Sequence, residues 1–222
     1  MDRSPLRNPD KAIFAVRKVV QLHPPIYQRR GMACAVDMGK EQYLLTWEGV
    51  FNEDDRDLIN EKSVKFNRRS KTFSTMDLEI SKIKQAGSCS FISVDKGLQH
   101  GDALTVEIPG SDVTTNDVCA QSFVGRNKSL TINFKYNQKK GRHELVSFKG
   151  KDCAIEKSDV LGSPIISNKC VIGVVGEDDN RRIIPYFISR TELGELKCFM
   201  TLRLEDICFI LSTLPISILQ GL

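Results

Sequence analysis

Ser163 carries the hydroxyl group that is the most obvious candidate nucleophile in this sequence. It stands in SDVLGSPIISNKCVIGVVG, residues 158–176, where a Gly-Ser-Pro tripeptide precedes two β-branched runs joined by a Ser-Asn-Lys turn. Nucleophilic catalysis needs an activated hydroxyl or thiol, an imidazole that accepts its proton, and a group that fixes the imidazole's tautomer. A base must therefore be found elsewhere in the chain.

The three histidines are poor candidates for this base. His23 precedes two prolines, His100 lies in a polar bend, and His143 lies in a basic turn. We expect all three to be solvated loop residues. Cys153 and Cys170 flank the Gly-Ser-Pro segment, but neither follows a tight turn that would expose a thiol. We expect both cysteines to be core or strand residues.

Short strand-like segments separated by turn residues fill most of the chain. Apolar runs such as 12–20, 43–46 and 130–136 alternate with turn sequences such as PGSD, GRNK and EDDNRR. Helical periodicity is scarce and is best at 204–214. Many short strands at this spacing indicate barrels or a sandwich, so we predict an all-β protein. The polar bend at 98–102 divides the strands into two comparable sets and predicts two domains, 1–100 and 101–222.

Composition indicates a globular protein without a cofactor. The chain has 222 residues, 41% of them hydrophobic, and a formal net charge of +4. No run is long enough to span a membrane, and the first residues lack the apolar stretch of a signal peptide, so we expect an intracellular protein of the cytoplasm or nucleus. The seven scattered cysteines favour reduced thiols over a disulfide framework or a zinc site. No metal and no cofactor are expected.

Three segments, in chain order, resemble the trypsin-like serine proteases. GMACAV followed by YLLTWEGV resembles the strand and histidine motif of that family, and GSCSFISV resembles its aspartate strand. SDVLGSPIISNKCVIGVVG resembles the nucleophile loop and the hairpin after it. The resemblance implies two consecutive antiparallel six-stranded β-barrels of the chymotrypsin type, followed by a short C-terminal helix.

The residues at the matching catalytic positions depart from the family. The histidine motif aligns on Gly49, and the aspartate strand aligns on Ser88 or a neighbour. The nucleophile aligns on Leu161, or on Val160 if the loop carries one extra residue. These residues cannot perform the roles of base, orienting acid and nucleophile. Ser163 follows the family's nucleophile position, so we predict no catalytic residue and a pseudoenzyme.

A protease scaffold without its triad can still bind an extended peptide in the cleft between its barrels. This fold analogy predicts a protein- or peptide-binding module, with no prediction of oligomeric state. The residues predicted to line its cleft are Trp47, Leu161, Gly162 and Ser163.

Two alternatives remain from the sequence. An active serine hydrolase with a displaced site is one. The other is nucleic-acid binding, in which basic residues contact phosphates and an aromatic ring stacks on a base. Acidic stretches at 53–57 and 177–179 weaken the basic field. The predicted nucleic-acid contacts are Lys135, Tyr136, Lys139, Lys140 and Arg142, and a second basic cluster spans 62–71.

Overall fold

The computed structural model describes residues 9–22, 25–38, 41–51, 64–68, 74–76, 79–96, 98, 103–125, 128–150, 154–191 and 193–194. Within these ranges the protein consists mostly of β-strands. A single turn of α-helix, Pro9–Ala12, precedes the first strand. The predicted all-β class is therefore confirmed. A search of the same ranges for a membrane-spanning helix finds none of sufficient length and hydropathy.

Fourteen strands are present in the described part of the chain. Strands β1 to β7 are Ile13–Leu22, Pro25–Met38, Glu41–Trp47, Val64–Arg68, Ser74–Met76, Glu79–Ala86 and Cys89–Lys96. Strands β8 to β14 are Leu104–Val106, Val118–Val124, Lys128–Asn137, Arg142–Lys149, Pro164–Ser167, Cys170–Glu177 and Ile183–Phe187.

The first set of strands is antiparallel and runs in the order β5-β4-β1-β2-β3-β7-β6. Its interior is built from large side chains that are almost completely removed from water, and burying each stabilises the fold by about 1.5–3 kcal/mol. Tyr43 and Phe91 meet edge to face with ring centroids 6.3 Å apart, an arrangement that aromatic quadrupoles favour. Other large side chains of these strands that are fully buried are Phe14, Met32, Leu44, Leu45 and Ile92.

The second set is also antiparallel and runs in the order β11-β10-β9-β12-β13-β14. Alternate residues of β10 point inward, so Leu130, Ile132 and Phe134 share one buried cluster with Ile165 and Val175. Strand β8 pairs in parallel with both β2 and β13. It thereby joins the two sets into one hydrogen-bonded sheet of fourteen strands.

The pairings among the described residues do not close either set into a barrel. The second set has the six strands expected, and its terminal strands β11 and β14 approach through the rings of His143 and Phe187, whose centroids are 5.3 Å apart. Closure into six-stranded barrels stays a prediction. The helix predicted at 204–214 lies outside the described residues.

The chain divides into two compact units, Met1–Ile188 and Ser189–Leu222. Both strand sets belong to the first unit. The predicted boundary between residues 100 and 101 therefore stays a prediction about subdivision within that unit. In the second unit, the backbone N–H of Leu193 donates to the carbonyl of Ser189 over 3.1 Å.

The backbone of β2 passes closest to the second set at Gly162. This glycine has φ +81°, and a Cβ there would overlap the carbonyl oxygen of Met32 and Oγ1 of Thr46. The Thr46 hydroxyl donates to that same carbonyl over 2.6 Å. The Gly162 N–H donates to the carbonyl of Val175 over 2.7 Å, which ties the turn to β13. Only a residue without a side chain fits this approach.

Replacing Gly162 by alanine should destabilise the protein much more than the same change at Gly125. Gly125 also has positive φ, +63°, but a Cβ there has no heavy atom within 4 Å. Gly125→Ala should therefore cost only the left-handed backbone penalty, about 1–2 kcal/mol. Gly162→Ala adds a steric overlap of about 1–3 kcal/mol. Urea unfolding of both variants measures the difference, and equal losses would contradict the close approach.

Candidate functional site

Two of the predicted triad positions are neighbours in the structure. Gly49 lies in a 3₁₀ turn, Glu48–Val50, that directly follows β3. Ser88 lies in the turn that joins β6 to β7. The Glu48 N–H donates to the Ser88 carbonyl over 3.0 Å, and Trp47 pairs with Cys89 in the strands beside it. Strand pairing therefore brings these two chain segments together.

The third position, Leu161, meets the same region through β2. Its carbonyl accepts the N–H of Met32 over 2.7 Å. A Cβ on Gly31 would lie 2.6 Å from the Val50 side chain and 2.9 Å from the Leu161 carbonyl oxygen. Val50, which follows Gly49, and Leu161 at the predicted nucleophile position therefore both pack closely against Gly31. The fold assembles the three segments around the start of the apolar half of β2.

The assembled positions lack the groups that acyl transfer requires. Gly49 has no side chain, and Ser88 offers a half-exposed hydroxyl. The Leu161 side chain is apolar and only 8% exposed. Val160, the alternative nucleophile position, is buried in the core of the second strand set. No base or thiol is supplied by these residues.

A buried ion pair holds the loop that carries Leu161. Nη1 of Arg29 on β2 lies 2.5 Å from Oδ1 of Asp159, and their side chains are 12% and 7% exposed. Nη2 of Arg29 donates to the Phe123 carbonyl over 2.7 Å, and the guanidinium lies 5.1 Å from the centre of the Phe123 ring. Burial lowers the pKa of Arg29, and the charge of Asp159 opposes this shift.

Asp159 also organises its own turn. Its side chain accepts the backbone N–H of Glu156 over 3.0 Å in a capping box around the 3₁₀ turn Lys157–Asp159. Its carbonyl accepts the hydroxyl of buried Ser122 over 2.5 Å. The sequence analysis missed both Arg29 and Asp159 as a pair. The one signal was an acid directly before the apolar residues Val160 and Leu161.

Ser163 is completely buried, with its hydroxyl unpaired among the described residues. Its carbonyl accepts the N–H of Val175 over 2.8 Å, which fixes the backbone against β13. An external substrate cannot reach this hydroxyl in the observed conformation. Gly162, its neighbour, is buried as well.

The expectation of a solvated His143 is wrong. This residue lies in β11, is 7% exposed, and packs between the rings of Tyr136 and Phe187 at centroid distances of 5.1 and 5.3 Å. Its Nε2 is 2.8 Å from the carbonyl oxygen of Asn116. The pairing of β11 with β10 places His143 opposite Tyr136, so that the imidazole packs on the Tyr136 ring and is shielded from water. His23, His100 and Cys153 lie outside the described residues.

The described cysteines do not form a catalytic site. Cys34 and Cys89 are buried, and Cys119 and Cys170 are partly buried; none forms a disulfide. Burial raises the pKa of the Cys34 thiol, which keeps it protonated and unreactive. A metal site is also absent from the described residues, which contain no group of three His, Cys, Asp or Glu side chains able to hold an ion.

Trp47 is the one predicted cleft residue with substantial exposure. It is half-buried, whereas Leu161, Gly162 and Ser163 are buried. The six-membered part of its indole covers Gly49, and its five-membered part lies against Gly176 of β13. Tyr186 of β14, which the sequence analysis did not single out, contacts the same face of Gly176. Trp47 therefore spans the region where the histidine motif faces the second strand set.

The basic hairpin of β10 and β11 carries less unpaired charge than its sequence indicates. Glu144 accepts hydrogen bonds from Lys140 over 2.8 Å and from Asn137 over 3.0 Å, and it lies 3.6 Å from Arg142. These hydrogen bonds, with the nearby cations, lower the pKa of Glu144 to about 2. Tyr136 packs on His143 instead of presenting a free face.

The predicted nucleic-acid contacts therefore divide into two kinds. Lys135 and Lys139 are exposed, whereas Lys140 and Arg142 share a carboxylate and Tyr136 is half-buried. The arrangement does not favour nucleic-acid binding, because a stacking platform needs an accessible ring and because Glu144 partly neutralises the exposed cations Lys140 and Arg142. The side chains of the other basic cluster, 62–71, lie outside the described residues.

No protein-family model and no curated protein sequence matches this chain. Solved structures match it over nearly its whole length. Human heparin binding protein is 9% identical with a TM-score of 0.53, and the match covers 90% of this chain and 95% of that one. Neuropsin, a serine protease of mouse brain, is 9% identical with a TM-score of 0.51 and coverages of 89% and 98%. An inactivated protease paralogue of the scabies mite is 10% identical with a TM-score of 0.54 and coverages of 89% and 99%.

The chain has the trypsin-like fold. The neighbours share the architecture of the chymotrypsin-type serine proteases, which is the fold that the three motif remnants predicted. Identities near one residue in ten show the fold alone. In this trypsin-like fold, Gly49, Ser88 and Leu161 come from the three segments whose order along the chain first indicated the resemblance.

Removal of the Arg29 charge should strongly destabilise the trypsin-like fold of this chain. Arg29→Met leaves Asp159 buried without its partner, and breaking a buried pair in this way costs about 3–5 kcal/mol. Arg182→Met is the matched control because the Arg182–Asp178 pair is at the surface, where water and salt screen it. Chemical denaturation should show a large loss for Arg29→Met and little change for Arg182→Met. Equal stability of the two variants would contradict a structural role for the buried pair.

Proposed function

We propose that this protein is a catalytically inactive trypsin-like-fold protein that binds a protein or peptide partner. The observation that carries the proposal is the composition of the assembled triad positions. The fold brings the segments of Gly49, Ser88 and Leu161 together, yet these three positions supply no imidazole, no carboxylate and no base to activate the half-exposed Ser88 hydroxyl. An intracellular location is part of the same proposal.

The scaffold survives without the triad because other interactions assemble it. The Met32–Leu161 backbone hydrogen bond and the Arg29–Asp159 ion pair connect β2 to the loop, and neither depends on a catalytic group. A chain that retains this architecture retains the surface between its two strand sets. Such a surface can pair with an extended segment and contact its side chains.

The half-buried residues around Trp47 are the best-placed contacts for a partner. Glu48 follows Trp47 directly and is also half-buried, and Tyr186 lies beside Trp47 on the same face of Gly176. Leu161, which the sequence predicted as an apolar contact, offers little area because it is 8% exposed. The proposed binding surface is therefore centred on Trp47, and Leu161 contributes little to it.

The purified protein should not react with a fluorophosphonate, a probe that labels activated serine hydroxyls. Ser163 is buried, and the described triad positions contain no base to activate Ser88. Intact-mass spectrometry after prolonged incubation should show unmodified protein, with trypsin labelled in parallel as the positive control. Stoichiometric labelling that disappears in Ser163→Ala would establish the displaced-site hydrolase instead.

Partner capture from a lysate should depend on the surface at Trp47 and survive nuclease treatment. Glu48→Arg reverses a charge beside Trp47, whereas Lys139→Glu reverses a charge on the exposed basic hairpin. We expect quantitative mass spectrometry to show discrete proteins lost at least severalfold with Glu48→Arg and retained with Lys139→Glu. The opposite pattern, with loss on nuclease treatment, would favour nucleic-acid binding by the hairpin.

A further inference from the structure

The Trp47 indole fills a slot whose two ends are glycines. A Cβ on Gly49 would lie 2.7 Å from Cζ2 of Trp47 and closer still to two other atoms of the six-membered ring. A Cβ on Gly176 would lie 2.5 Å from Cδ1 and 2.6 Å from Nε1 of the five-membered ring. The full length of the indole is therefore accommodated because both of these residues lack side chains.

An aromatic ring also borders the slot. The same point above Gly176 is 2.6 Å from Cε2 of Tyr186, so the Tyr186 and Trp47 rings are direct neighbours. The Tyr186 hydroxyl donates to the carbonyl of Glu177 over 3.0 Å, which fixes the position of its ring. A slot with glycine ends and an aromatic border accommodates a flat side chain better than a branched one.

The position of the indole in this slot is unfavourable for its N–H group. Its Nε1 is buried and has no hydrogen-bond partner among the described residues. A buried donor without an acceptor is destabilising, and the N–H would regain a hydrogen bond in contact with water. Trp47 is the last residue of β3, and rotation of its side chain leaves the backbone hydrogen bonds of that strand unchanged. Displacement of the indole is thus easier than its burial alone indicates.

We propose that Trp47 is an intramolecular plug in an aromatic-binding slot, and that a partner segment binds by placing its own flat aromatic side chain there in place of the indole. The inference rests on the proposed binding function and names the partner's chemistry. The free protein is self-occluded at this point. A partner with an aromatic anchor replaces the unsatisfied indole of Trp47 by its own ring.

The slot itself is tested with N-acetyl-tryptophanamide, which carries an indole between two peptide-like amides. Trp47→Ala empties the slot and removes the only tryptophan of the sequence, so the probe is then the sole indole in the sample. We expect a blue shift of the probe's fluorescence with this variant. Ligand-observed NMR should show binding to Trp47→Ala at least tenfold tighter than to the wild type.

Two further variants serve as controls for this measurement. Trp47→Phe keeps a ring in the slot and should bind the probe at least severalfold more weakly than Trp47→Ala. Trp47→Leu retains more apolar volume and replaces Trp47→Ala if circular dichroism shows the alanine variant unfolded. N-acetyl-leucinamide, which lacks a flat ring, should not compete. Absence of probe binding to a folded, emptied variant overturns the slot.

A capture experiment with partner proteins distinguishes failure of this inference from failure of the proposed function. Proteins captured by the wild type should be captured severalfold more by Trp47→Ala and not by that variant saturated with the probe. Capture that is unchanged by both treatments overturns the inference and leaves the binding function standing. Probe binding to Trp47→Ala in a protein that reacts stoichiometrically with a fluorophosphonate supports the slot and refutes the inactive binding module.

Discussion

The attachment of β2 to the loop before β12 is the interaction on which the rest of the structure depends. It combines a backbone hydrogen bond from Met32 to Leu161 with the buried ion pair of Arg29 and Asp159. The hydrogen bond holds the loop against β2, and the charged pair fixes the orientation of the loop. An uncompensated charge at either end would be far more costly than the pair itself, so the two residues must be retained together.

This attachment holds the trypsin-like fold together without using the side chains of Gly49, Ser88 or Leu161. The loop conformation is determined by its capping box, by the positive φ of Gly162 and by the contact with β2. None of these three features requires a catalytic side chain at position 161. Space that a side chain at position 49 would require is instead occupied by Trp47, which packs on Gly49 and Gly176.

The sequence predicted the approximate location of the candidate site because short motifs have local causes. Turn residues and β-branched runs predicted the hairpin after Gly162, and the ordered motif remnants predicted the fold. The pairing of Arg29 with Asp159 could not be predicted, since it joins residues 130 positions apart and depends on how the two strand sets meet. His143 was misjudged for a related reason: its basic neighbours concealed its place opposite Tyr136.

By itself, the sequence determined the β-strand content and the positions of most turns, because these follow from residue types and short-range spacing. Only the tertiary structure decided which of those residues reach the surface and which are buried. Leu161 and Ser163 became buried support, whereas Trp47 and Tyr186 became neighbours across Gly176. Burial and contact depend on the register and packing of strands distant in sequence, and no local pattern encodes either one.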